Sequence, residues 1–209
     1  MGLLDSILGR SRPVRPDLDR LFGLPAAALT LQAGTGFVPT GAGSVCFAAV
    51  EGGTFARLKE EVRELLDTDA ADTATGPVTY ASDAYGYTWL TVRRPAEDLI
   101  TLVNDLHAVN SLLEEAGFGP NLLCSLTGFH APGADGRGAR ELALVYLYKR
   151  GTFYPFAPRA DRAETRDNAL ELQVRSLLAG DLALEPDMER WFPVWGAPGL
   201  GGADRPQAP

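Results

Sequence analysis

The stretch from Glu141 to Pro158, ELALVYLYKRGTFYPFAP, constrains this chain more than any other. It is an apolar, aromatic strand signal that runs into a basic pair and then a Gly-Thr-Phe-Tyr-Pro-Phe turn. β-Branched and aromatic residues at this density suit a pleated, buried surface, so the chain must build a sheet. Rings set this closely end as core or as a docking surface. The stretch carries no catalytic nucleophile, no carboxylate pair and no metal-ligand spacing. That tilts the reading from enzyme toward a binding or regulatory protein.

Composition sets the outer bounds. A chain of 209 residues makes one large domain or two small ones. Hydrophobic residues at 45% suffice for a real core. A formal net charge of −8 argues against nucleic acid as a partner, because phosphate binding needs clustered Lys and Arg. No apolar run approaches the ~20 residues that span a bilayer. The N-terminus lacks a charged-apolar-small signal pattern, so a cytoplasmic protein is expected. Cys46 and Cys124 lie in separate strand-like segments with neither CxxC nor zinc spacing, and read as buried free thiols too isolated to staple the fold. Neither a metal nor a cofactor is expected.

Three regions follow along the chain. Residues 1–20 form an N-terminal unit: Leu3, Leu4, Ile7 and Leu8 share one face of a short amphipathic helix, with Arg10, Arg12 and Arg15 behind it. Such a helix either lies on an anionic membrane surface or docks on its own domain or a partner. Residues 21–196 read as one α+β domain. Ala28 to Gln32 reads as a strand, and the glycine-rich run Gly34 to Ser44 as a turn before a strand at Val45 to Val50. A phosphate loop is excluded there, since there is no GK[ST] and a strand follows. A helix at 54–66 has Phe55, Leu58, Val62 and Leu65 as its buried stripe. Strands at 78–82 and 85–92 precede a helix from Pro95 to Ala116 that ends at Gly117. Leu122 to Phe129 and Leu142 to Tyr148 read as a hairpin. A third helix is capped by Asp167, with Leu170, Val174, Leu177 and Leu178 facing the core. About three helices on an antiparallel sheet is the expected architecture, with a strand-helix pseudo-repeat. Residues 197–209, rich in Gly and Pro, read as a disordered tail.

Four constellations are candidates for function. Asn104, His107 and Asn110 sit at i, i+3 and i+6 on the second helix, a ridge able to hold a small ligand or to satisfy loop backbone. The segment Tyr85 to Trp89 divides its aromatics between core and an exposed set available to a partner. Tyr146, Tyr148, Lys149, Arg150, Phe153, Tyr154 and Phe156 interleave basic and aromatic residues, a composition that fits an interface better than nucleic acid on an acidic chain. Trp191 and Trp195 either cap the sheet or anchor a partner. No catalytic residue is assigned: GxSxG, HExxH and Walker patterns are missing.

Six segments together resemble the actinobacterial PspA-associated family called PspAB: MGLLDSILGR, YGYTWLTVRRP, DLHAVNSLLEEAGFGPNLLCSLTGF, ALVYLYKRGTFYPFAP, RDNALELQVRSLLAGDL and RWFPVWGAPGL. The resemblance covers most of the chain. It implies a role in a phage-shock-type envelope stress response, beside the membrane-remodelling protein PspA and often a membrane protease of the HtpX type. It brings no catalytic residues. The expectation is a non-enzymatic adaptor or regulator near the inner membrane, with a small-ligand sensor or enzyme around His107 as the alternative.

Overall fold

The computed structural model describes residues 16–48, 53–68, 78–83, 85–133 and 139–200. Six strands, β1 (Val38–Ala48), β2 (Thr79–Ser82), β3 (Tyr87–Arg93), β4 (Leu122–Ala131), β5 (Arg140–Leu147) and β6 (Thr152–Phe156), form one antiparallel sheet. Their order is β2-β3-β1-β4-β5-β6. Four helices, α1 (Leu24–Thr35), α2 (Gly53–Thr68), α3 (Leu99–Leu113) and α4 (Asn168–Leu177), pack against it through one continuous core. This is the α+β class the sequence implies, with one helix more than expected. The two strand-helix units, β1–α2 and β3–α3, stand side by side with their strands paired.

The extra helix is α1. Its apolar run looked like a strand, yet Leu24, Ala27, Ala28 and Leu31 are the buried residues, at a helical spacing of three and four. Pro25 sits in its first turn and Gly36 closes it in the left-handed region at φ 77°. The next correction concerns glycine. Residues 38–44 are the first half of β1 rather than a turn. Gly41 holds φ +75°, and a β-carbon there would lie 2.1 Å from the Arg94 carbonyl oxygen. These glycines mark a bulge and a close approach inside a strand. Among the described side chains of α2 the stripe is Leu58, Val62 and Leu66, at i, i+4 and i+8, and Leu65 is exposed; Phe55 lies outside those described. Helix α3 starts at Leu99 with Asp98 capping the Thr101 amide, and the helical turn that continues it over Glu114–Phe118 breaks at Gly117 with φ 86°.

The segment after Arg150, expected as a turn, is a sixth strand. The turn is tighter, through Gly151, and β6 carries Pro155 on the sheet edge, where a missing N–H costs least. Strands here are buried on both faces. Leu142, Leu144, Tyr146 and Phe153 point to the helices, while Ala143, Val145, Tyr154 and Phe156 point to the other face. Double burial explains why the Glu141–Pro158 stretch is apolar throughout.

That second face is covered by the chain after α4. Trp191, Val194, Ala197 and Leu200 close over Cys46, Trp89, Cys124 and Leu126. The packed chain therefore runs to Leu200, past the boundary expected at residue 196, because this face of the sheet needs an apolar cover. Gly128 and Gly199 make the contact possible: a β-carbon on Gly128 would lie 2.0 Å from the Gly199 carbonyl oxygen. The expected helix bearing Leu3, Leu4, Ile7 and Leu8, and residues 69–77, lie outside the described residues.

Candidate functional site

The cover on the second face is incomplete. Between the C-terminal chain and the β2–β3 turn lies a cavity of about 520 Å³. Its floor is Cys46 of β1 with Cys124 of β4, flanked by Leu123 and Leu147. One wall is Tyr85, Tyr87 and Trp89; the other is Phe192 to Trp195, with Tyr154 beneath.

Alternation on β3 builds the first wall. Tyr87 and Trp89 are two apart on β3 and face the same side, and the turn before the strand sets Tyr85 on the same cavity. Their exposure falls inward from 82% through 39% to 5%. The expected split of these aromatics between faces is thus corrected to a gradient along one face. Asp83 holds the wall in shape: Oδ1 accepts from the backbone N–H of Tyr85 and of Tyr87, each at 2.9 Å, and Oδ2 accepts from the Trp89 indole N–H at 2.9 Å. Among the described residues Asp83 is the only carboxylate lining the cavity, and both its oxygens are engaged in structure.

The second wall is tied down by polar contacts at its roots. The Tyr154 hydroxyl donates to the Phe192 carbonyl at 2.8 Å, and burial pushes that phenol far up from its ordinary value. The Trp191 indole donates to the Glu185 carbonyl at 3.2 Å. Arg166 donates to the Trp191 carbonyl and pairs with Glu171, whose carboxyl burial pushes up. Glu185 accepts from Thr152 at 2.7 Å and from Arg150 at 3.3 Å. Burial raises the Glu185 carboxyl, but these bonds outweigh it and hold the group below its usual range. Phe192, at 60% exposed, forms the open lip. Trp195 packs edge-on against Phe156 at 4.8 Å.

The expected docking residues are mostly core. Tyr146, Tyr148 and Phe153 belong to the helix-side core, and Tyr154, Phe156 and Trp191 to the opposite one. Their strands lie between two layers, so a ring on either face is covered. Lys149 is exposed, and Arg150 is half-buried against Glu185. Only Tyr154 and Trp195 of that set line the cavity.

Asn104, His107 and Asn110 do not converge. Asn104 is exposed. His107 stacks on Phe22, ring centres 4.8 Å apart, and lies 3.3 Å from Asp19. Asn110 is fully buried and donates to the Leu106 carbonyl and the Ser125 hydroxyl. A six-residue spacing turns about 600° on a helix, so the first and last positions drift apart toward solvent and core.

Cys46 and Cys124, isolated from each other in the sequence, are neighbours in the fold. Cys46 and Cys124 are register partners on adjacent strands, 78 residues apart in sequence. A hydrogen bond between them, then burial, raises the Cys46 thiol well above its ordinary value. Both are free. Among the described residues no group of three or more His, Cys, Asp or Glu is placed to hold a metal ion, and no helix is long and apolar enough to cross a membrane.

No curated protein and no solved structure matches the chain. A family model does match, over residues 1–199, and its description is PspAB, PspA associated protein B. The chain belongs to that family. The PspAB match takes in both the N-terminal segment and the chain that walls the cavity. The family's name ties it to PspA.

Proposed function

We propose that the protein is a non-enzymatic adaptor or regulator that docks an apolar segment of a PspA-like protein in the groove between Tyr85 and Phe192. The carrying observation is the groove's lining. Exposed aromatic rings rim an apolar floor, and rings of this kind carry most of the binding energy in protein interfaces. The acceptors that hold the walls, Asp83 and the Phe192 carbonyl, are already engaged. Net charge of −8 favours a segment with basic flanks. The family's name supplies the partner. The setting is an envelope stress response at the cytoplasmic side of the inner membrane, where an HtpX-like protease is a further partner. The N-terminal Leu3, Leu4, Ile7 and Leu8 supply peripheral membrane contact.

The test is a titration of the purified PspA-like protein from the same source against the wild-type chain, Tyr85→Ala and Phe192→Ala. Hot-spot rings cost ~2 kcal/mol or more of binding when truncated, about a thirtyfold weakening. Melting temperatures of both variants should match wild type. Unchanged affinity in both variants overturns the reading.

A further inference from the structure

The floor of the groove holds a pair of thiols for which the docking role has no use. We propose that Cys46 and Cys124 are an oxidisable dithiol that closes into a reversible cross-strand disulfide when a peroxide enters the groove.

Register makes the bond reachable. Cys46 and Cys124 are directly opposite on antiparallel strands. Residues so placed have Cα atoms about 4.5–5.5 Å apart, inside the range of about 4.4–6.8 Å that disulfides span. Their Cβ atoms stand at about 4.5–5.5 Å, somewhat wider than the ~3.8 Å of a disulfide. The closing movement falls where the sheet is already irregular, at the register shift between Cys46 and Phe47. Both side chains line the floor of the same cavity.

Access comes from the cavity. The thiols are 3% and 8% exposed, buried from bulky reagents, yet both line the open space. The chain has two cysteines, so no third thiol competes. Two sulfurs alone fall short of the four ligands of a structural zinc site. Burial penalises the Cys46 thiolate, which slows its attack on peroxide and equally its departure from a disulfide once formed.

The chemistry balances. One thiol sulfur attacks a peroxide oxygen, breaking the O–O bond and releasing water, and becomes a sulfenic acid. The second thiol attacks that sulfur and expels a second water. Two S–H bonds and one O–O bond are broken, one S–S bond forms, and two electrons pass from sulfur to peroxide. The sulfurs then stand ~2.05 Å apart, which reshapes the floor. Only this consequence rests on the groove being a docking site; the bond itself does not.

The full-length protein is treated with hydrogen peroxide, denatured, alkylated and weighed. The expected product is a monomer that has lost two hydrogens, has no alkylatable thiol, and regains both thiols with dithiothreitol. Cys46→Ala and Cys124→Ala should each keep one thiol or gain oxygen. Added oxygen in the wild type, linked dimers, or two thiols still free after peroxide each overturn the proposal. If the disulfide forms while Tyr85→Ala and Phe192→Ala bind the PspA-like protein normally, the dithiol stands and the docking reading falls. If those variants fail to bind but no disulfide forms, the reverse holds.

Discussion

The two faces of the sheet are built from the same strands and differ in their cover. Four helices seal one face, and their stripes interlock with Phe47, Phe129, Tyr146 and Phe153 in a single core. An irregular chain, broken by a short 3-10 turn at Met188–Arg190, crosses the other, held by Tyr154, Arg166 and Glu185, and leaves about 520 Å³ open. Helices cover a sheet in repeating stripes, whereas a loop covers it ring by ring. The first arrangement fixes the fold. The second leaves aromatic rings at the surface and thiols beneath them, which is where recognition has room to act.

Adjacent residues on β6 measure that difference directly. Phe153 faces the helices and Tyr154 the groove, and both are almost fully buried. Phe153→Ala should cost about 3–5 kcal/mol of stability, as a ring lost from a close-packed core does. Tyr154→Ala should cost about 2 kcal/mol, because its site already borders open space and can relax into it. Denaturant unfolding of the two variants compares them. Equal losses would mean that the C-terminal cover packs as tightly as the helices.

A second large effect belongs to the helix side alone. Arg94 Nη2 donates to Asp105 Oδ1 at 3.1 Å, and Nε to Oδ2, with both side chains buried. Asp105→Ala leaves a buried guanidinium without this carboxylate and should cost about 3–5 kcal/mol. A loss below about 1 kcal/mol would place the pair in effective contact with water.

How much of this was legible in the sequence follows the same divide. Helices α2, α3 and α4 and the β4–β5 hairpin were readable, because their apolar spacing and caps are local signals. Helix α1 was misread since an Ala-Leu-Thr-Leu run fits both periods. The glycines of β1 mimicked a turn, although what demands them, the Arg94 carbonyl and helix α3, lies far along the chain. The groove was less legible still. Its YGYTW wall is visibly aromatic and strand parity places Tyr87 and Trp89 together, but Tyr85 joins them only through the turn before β3. The Cys46–Cys124 register was invisible, because only the pairing of β1 with β4 creates it. Tyr154 and Phe156 looked like a surface because no local signal announces that a loop forty residues on will cover them.

The rim of the groove should respond in a smaller, more local way. Asp83→Ala removes the acceptor for the Tyr85 and Tyr87 amides and the Trp89 indole. Hydrogen bonds to a charged acceptor are worth about 1.5–3 kcal/mol, and the exposed turn recovers part of that from water. The expected result is a loss of about 1 kcal/mol, faster amide exchange at Tyr85 and Tyr87, and a red-shifted Trp89 emission. Amide exchange unchanged at both residues would show that the wall keeps its shape without the carboxylate.

The smallest effect tests the other wall through pH. Glu185 accepts from Thr152 and Arg150, and its backbone N–H donates to the Phe153 carbonyl at 2.7 Å, so it joins the C-terminal chain to the edge of β6. Its folded carboxyl lies below the usual range. A group lowered in this way contributes stability above its unfolded value, about 4.3, and loses it as pH falls through the folded value. Glu171 runs the other way: burial raises it, so its contribution is complete at low pH and is lost as pH rises through its folded value. The melting difference between wild type and Glu185→Gln should therefore be constant from pH 6 to 8 and shrink below about pH 4.3. Glu171→Gln should show the opposite trend. Because Glu185 anchors the groove wall and not the helix-side core, its loss should leave the amides of α3 as protected as in wild type. A deficit in Glu185→Gln that persists undiminished at pH 3 would mean that the clasp works through shape, with no share from its charge.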